Sequence, residues 1–368
     1  MTAATSKGFG AVAYLNMLPF FADDPSILLC STPAELNDLM RLGKVASGCS
    51  SVITGLANGL VPLVPLLGVA AERCVGSVYI EPLGLGKSRR QRALWSTWLA
   101  CNAGGAGRLG WSSHETATGA RATSSAQTLR LLTCGASAQS LWIVQTLASA
   151  QGLRVEVMSI PSTWHDADET QLLEMLSQVD HRTDHGGPYP NRGDQDVLTA
   201  LLVIGDPALL RKCRFRDSSA VSLDHAAPGP WPWRLDVADL WSAFCGLPCI
   251  FALWFVGAQA SADDTARAAR TLSAYAQEWH SSTRDRRSRA SCNFLASRGQ
   301  GDLIRLMGED ALTRYLDNLR YDLSAPGYAE SLRLMAWLAG EQANHVGPEA
   351  AHELNPDRPI VSTPEQTF

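Results

Sequence analysis

Lysine is almost missing from this chain: Lys7, Lys44, Lys87 and Lys212 are the only four among 31 basic residues, and 36 acidic residues leave a net charge of −5. With a pI near 5.9 there is no basic footprint for nucleic acid, and no large acidic polymer is implied as a partner. Long apolar runs are missing too. The longest, LVPLVPLLGVAA (60–71) and PCIFALWFV (248–256), are too short to span a bilayer, so no membrane partner is expected. No basic start, apolar core and cleavage site precede the first strand near Gly8, and the expected location is cytoplasmic. The nine cysteines are scattered, odd in number and free of any C-x-x-C pair, which suits reduced, mostly buried thiols rather than a disulfide framework.

Motifs for a cofactor or metal fail on inspection. GLGKS (84–88) has Glu81 where a phosphate loop needs its first glycine. His181 and His185, with Asp180 and Asp184, have ligand-like spacing but are read as part of a polar loop without a helix to fix them. Cys245 and Cys249 flank Gly-Leu-Pro as buried thiols, and RDRRSR (284–289) reads as a solvated basic loop. No cofactor and no metal are therefore expected.

What is present is a core large enough for two lobes: 368 residues, 46% hydrophobic and 18% charged. Strand and helix patterns alternate, which favours an α/β fold with largely parallel sheet. Strands are predicted at 9–15, 27–31, 45–51, 76–80, 129–134, 153–160 and 198–206. Helices are predicted at 33–43, 137–151, near 167–178, and at 263–281, 302–320 and 327–340. Residues 85–128, dense in Gly, Ser, Thr, Ala and Arg, read as an insertion, and 181–196 as a second one. APGPWPWRLD (227–236) reads as a return crossing, and 341–368 as a flexible tail.

The most informative stretch is VAYLNMLPF (12–20), where a strand breaks into a turn carrying Asn16. A neutral amide at a strand's carboxyl end both donates and accepts, so it can orient a carboxylate or hydroxyl without adding charge. The bland alternative is that Asn16 caps the following helix, with Pro19 in its first turn.

This stretch opens an ordered series. Ala13-Tyr14-Leu15-Asn16 is followed by Leu39 to Gly43, Gly48-Cys49-Ser50-Ser51 and CVGSVYI (74–80) with Ser77. Then come Ser137-Ala138-Gln139-Ser140, Val203 to Leu209 and DLWSAFCGLPCIFALWFV (239–256). In this order the motifs resemble the chorismate dehydratase family of the futalosine route to menaquinone. The resemblance covers most of 8–84 and 129–256, with a weaker echo in 314–335.

That resemblance implies a periplasmic-binding-protein-like type II fold, with two α/β lobes and a ligand cleft between them. Lobe one would comprise 8–84 plus 236–340, and lobe two 129–235, with 85–128 outside both cores. The chain would cross at Gly76–Ile80 and return near Pro248–Phe255. The implied activity is dehydration of chorismate to 3-[(1-carboxyvinyl)oxy]benzoate, a small-molecule dicarboxylate being the partner. Asn16 and Ser77 would serve the reacting centre, with Ser50, Ser51, Ser137 and Ser140 holding carboxylates through hydroxyls and backbone N–H groups. No general base is assigned, and a carboxylate of the substrate is itself a candidate. Each serine has a structural alternative: Ser77 as a small strand residue, Ser137 as an N-cap, Ser140 as a first-turn residue. Asp206 reads as a turn or cap residue.

The chain departs from the family pattern at Ala46, where an acidic residue is common, and at Met17, often Thr. Two alternatives follow: a non-catalytic binder or sensor of small carboxylates, and the sibling dihydroxynaphthoate synthase, which usually needs a histidine near the cleft. Oligomeric state is not legible in the sequence.

Overall fold

A computed structural model describes residues 8–21, 27–30, 32–83, 95, 128–133, 138–183, 197–215 and 234–346. Ser137, His185, nearly all of the 85–128 insertion, most of 181–196 and 227–236, and residues 347–368 lie outside the described residues. The chain divides into two compact units, Met1–Arg73 with Leu247–Phe368, and Cys74–Gly246.

β1 (Phe9–Val12) is wholly buried and stops short of the predicted 9–15, because the chain tightens into a 3-10 helix at Leu15–Phe20. Leu15, Met17, Leu18, Pro19 and Phe20 of that turn are all buried, which pins it to the core. β2 (Leu28–Cys30) leads to α1 (Pro33–Arg41), which starts where Thr32 accepts from the Glu35 N–H at 3.2 Å and Pro33 supplies a preset φ. β3 (Ser47–Ser51), α2 (Val52–Ala57), β4 (Val61–Pro62) and β5 (Leu67–Ala71) follow. β1 pairs in parallel with both β2 and β3, so the carboxyl ends of the three strands share one edge.

The second unit runs through β6 (Val78–Leu83), β7 (Thr128–Thr133), α3 (Ala138–Ala150), β8 (Arg154–Ser159) and α4 (Glu169–Thr183). β9 (Val197–Ile204), α5 (Asp206–Arg214), β10 (Leu235–Asp236) and α6 (Val237–Cys245) complete it. Its sheet has the order β10-β6-β9-β7-β8, with β7 parallel to both β8 and β9. Tyr79, Leu132, Ile160, Leu172, Leu201 and Val203 form its core. α4 continues past the predicted 178 to Thr183, which places His181 on a helix rather than in the expected loop.

Inside this unit Arg211 is almost fully buried, its side chain 1% exposed. Its Nη2 and Nε meet Glu81 at 2.7 and 3.1 Å, Arg234 approaches the same carboxylate at 3.4 Å, and the Arg211 guanidinium lies over the Phe215 ring. A buried guanidinium is tolerated only with such pairing.

The chain returns through β11 (Cys249–Val256), α7 (Ala262–Ser281), α8 (Arg284–Ser297), α9 (Gly301–Met307), α10 (Glu309–Asp317), β12 (Arg320–Asp322) and α11 (Pro326–Val346). The first sheet has the order β12-β5-β11-β3-β1-β2, with β4 beside β11. β11 is thus its central antiparallel strand, with Leu253 opposite Ser50 and Gly68.

The return segment corrects three expectations. RDRRSR begins a helix rather than forming a loop: Thr283 accepts from the Arg286 N–H at 3.3 Å, and Arg286 and Arg287 pair with Glu278 at 2.8 Å and Asp317 at 3.1 Å. The single helix predicted at 302–320 breaks at Gly308, whose φ of +78° ends α9 and precedes α10. α11 runs to Val346, six residues into the predicted tail. The chain passes between the units just ahead of the strands expected to cross, Gly76–Ile80 and Pro248–Phe255, and each of those strands then pairs within one sheet, β6 in the second and β11 in the first. The division falls at 73/74 and 246/247, inside the boundaries of 84 and 236 read from sequence.

Candidate functional site

In the first unit the polar residues gather where β1 and β3 end. Asn16 is the second residue of the 3-10 helix after β1, half-buried among apolar neighbours, and its Oδ1 is buried without a hydrogen-bond partner. It is not the helix cap: that position belongs to Tyr14 and carries no side-chain cap bond. An amide oxygen buried and unmatched costs about 1–3 kcal/mol, a cost that a ligand donor can relieve.

Ser50 and Ser51 close the neighbouring strand, but their hydroxyls are engaged. Ser50 is buried and donates to Asn37 Oδ1 at 2.7 Å. Ser51 caps α2, accepting from the Thr54 N–H at 3.2 Å and donating to Thr54 Oγ1 at 2.7 Å. The positions of the two family departures are apolar and sealed: Ala46 is fully buried at the entry to β3, and Met17 is buried in the 3-10 helix.

The second unit has a matching edge where β7 and β9 end. Thr133, the last residue of β7, is 4% exposed, and Ser140, in the first turn of α3, is 1% exposed; both hydroxyl oxygens are buried without a partner. Ser77 is fully buried just before β6, and its carbonyl accepts from the Gly205 N–H at 2.7 Å beyond the end of β9. Gly205 has φ +73° and ψ −148°, a conformation available only to glycine, and this kink starts α5 at the buried Asp206. Ser140 is therefore placed with Thr133 and Ser77 on one strand edge, whereas Asn16, Ser50 and Ser51 belong to the other unit.

Sequence reasoning missed Thr133. A signal existed, since LRLLT is a buried strand that ends on a hydroxyl, the position where open α/β sheets place their ligands.

A second cluster is structural. Cys74, Asp236 and Asp239 bring a thiol and two carboxylates within 4.8 Å of one another. The Asp236 oxygens already accept from Cys74 Sγ at 3.1 Å and from the N–H groups of Val75, Gly76 and Ala238 at 3.1, 2.6 and 3.0 Å, so this carboxylate ties the start of the unit to the N-terminus of α6. Desolvation first, and the Asp236 charge second, push the Cys74 thiol up to about 12, so it is neutral at physiological pH.

The sequence profile of the menaquinone biosynthesis family matches residues 123–340, more than half of the chain and most of its second unit. The chain belongs to the menaquinone biosynthesis family. No curated protein matches it in sequence. Its fold is mixed α/β, two compact units in one chain. A solved protein from Archaeoglobus fulgidus matches with a TM-score of 0.51 at 10% identity, over 92% of this chain and 98% of that one. The periplasmic aliphatic sulphonate binding protein from Escherichia coli gives a TM-score of 0.47 at 11% identity, over 100% of this chain and 96% of that one. Within the family match lie Thr133 and Ser140, and outside it lie Asn16, Ser50, Ser51 and Ser77. Among the described residues, no helix is long and apolar enough to cross a membrane.

Proposed function

We propose that this member of the menaquinone biosynthesis family is a carbon–oxygen lyase that dehydrates chorismate to 3-[(1-carboxyvinyl)oxy]benzoate. The reaction breaks one ring C–H and one ring C–OH bond, releases water and leaves an aromatic ring. Aromatisation supplies the driving force, so the protein needs to orient the substrate and assist proton and hydroxide departure. Neutral hydrogen-bonding groups suffice for that task.

The observation that carries the reading is the buried, unmatched Oδ1 of Asn16 at the end of β1. It can orient the ring hydroxyl of the bound substrate by accepting its hydrogen bond, while the amide NH2 can donate to the oxygen that departs. Thr133 and Ser140 carry unmatched hydroxyls suited to a carboxylate, and we assign them to substrate binding beside Ser77. Ser50 and Ser51 contribute position rather than free donors, since their protons are engaged by Asn37 and Thr54.

Replacing Asn16 by Ala tests the proposal. Loss of a hydrogen bond made mainly in the transition state is expected to lower the rate of chorismate consumption about a hundredfold, roughly 2–4 kcal/mol, with the fold intact. Unchanged turnover removes Asn16 from the mechanism. Absence of turnover in the parent protein, with chorismate binding retained, would instead favour a carboxylate sensor of the same fold.

A further inference from the structure

The first unit holds a cavity of about 210 Å³ between the 3-10 helix Leu15–Phe20, α7 and α8. None of Asn16, Ser50 and Ser51 lines it. Phe20, Phe21 and Trp279 form an apolar wall, and Tyr275, Arg286 and Arg289 bring polar groups to it. Phe20 and Trp279 are buried, so the wall is fixed by the core, and Phe21 is braced against Phe294 with ring centroids 5.4 Å apart.

The charge of this cavity is unbalanced. Glu278 lines it, but is engaged with Arg286 at 2.8 Å. Arg289, one turn further along α8, makes no ion pair among the described residues. A guanidinium lining the same cavity as an aromatic wall suits a planar anion: the fork donates two parallel hydrogen bonds to a carboxylate, and the rings cover a flat apolar body. The volume is below the ~300–1,000 Å³ of pockets for drug-sized ligands, which limits the occupant to about one ring.

We propose that this cavity is a binding site for a small aromatic carboxylate, anchored by Arg289 and distinct from the substrate groups at Asn16. The inference does not depend on the chorismate reaction. The two sites share one element, since the 3-10 helix carries Asn16 at its start and ends at Phe20 against the cavity.

Isothermal titration of the full chain with benzoate, benzyl alcohol and acetate tests it. Benzoate is expected to bind, and the two partial mimics, one lacking the charge and one lacking the ring, to bind at least about tenfold more weakly. Arg289→Gln is expected to weaken benzoate about tenfold and to leave chorismate affinity within about twofold; Arg289 is exposed, so the variant keeps its fold. Three results would each overturn the site: no benzoate binding to the parent, benzoate binding untouched by Arg289→Gln, or benzoate binding abolished by Asn16→Ala but retained in Arg289→Gln.

Discussion

The two strand edges use the same residue types in opposite ways. In the first unit the hydroxyls of Ser50 and Ser51 are consumed by Asn37 and Thr54, and the amide oxygen of Asn16 is the group left unmatched. In the second, the hydroxyls of Thr133 and Ser140 are themselves unmatched and buried. A serine at a strand end thus has two fates: where a neighbour satisfies it, it holds the fold, and where burial leaves it without a partner, its hydroxyl is open to a ligand.

The sharpest way to separate the two units is through Glu81. Glu81→Ala takes the carboxylate away from the buried Arg211 guanidinium, leaving it the Ala167 carbonyl, and is expected to cost about 3–5 kcal/mol. Amide exchange should accelerate in β6, β7 and β9 while β1, β3 and β11 stay protected; equal acceleration in both sheets would show that they do not behave as separate units. Next in size, Ser51→Ala removes the α2 cap and is expected to lower stability by about 0.5–2 kcal/mol with ligand affinity unchanged, by chemical denaturation and calorimetry.

Thr133→Val and Ser140→Ala should do the reverse. Deleting an orphaned buried hydroxyl is expected to leave stability unchanged or slightly raised, while each weakens chorismate binding by about 1 kcal/mol. A stability loss matching Ser51→Ala would erase the distinction between the edges. The smallest effect lies at alkaline pH. The Cys74 thiol ionises only near 12 in the folded chain and near 9.0 in the unfolded one, so the unfolded chain releases its proton first and stability falls as pH rises from about 9 to 12. The melting temperature of Cys74→Ala should fall less steeply over that range; an identical slope would assign the loss to other groups.

Much of the α/β pattern was legible because it rests on local rules. Thr32 and Pro33 mark the start of α1, and the alternation of apolar strands with helices runs through β1, α1, β3, β7, α3 and β9. α8 was not legible, since its only buried residues are Ser291 and Leu295 and it is tied down by arginine pairs to distant carboxylates. The end of α4 was hidden because its last residues, SQVDHRT (177–183), carry no apolar repeat in the sequence. At the candidate site, Asn16 and Ser140 could be named from their positions, but the spending of the Ser50 and Ser51 hydroxyls depends on partners that only the folded chain brings near. Thr133 was overlooked because the strand was read as running on to Cys134, which made Thr133 an interior strand residue.

The position of β11 has a consequence for biosynthesis. It is the central strand of the first sheet, seated between β3 and β5, yet the ribosome delivers it only after all of residues 74–246. During translation β3 and β5 therefore wait with open edges, while the second unit, contiguous in sequence, has everything its own sheet requires. The inserted unit is set to fold first, and the first to start is the last to close. A nascent chain halted before Cys249 would carry one finished sheet and one set of exposed apolar strands, the form most in need of a chaperone.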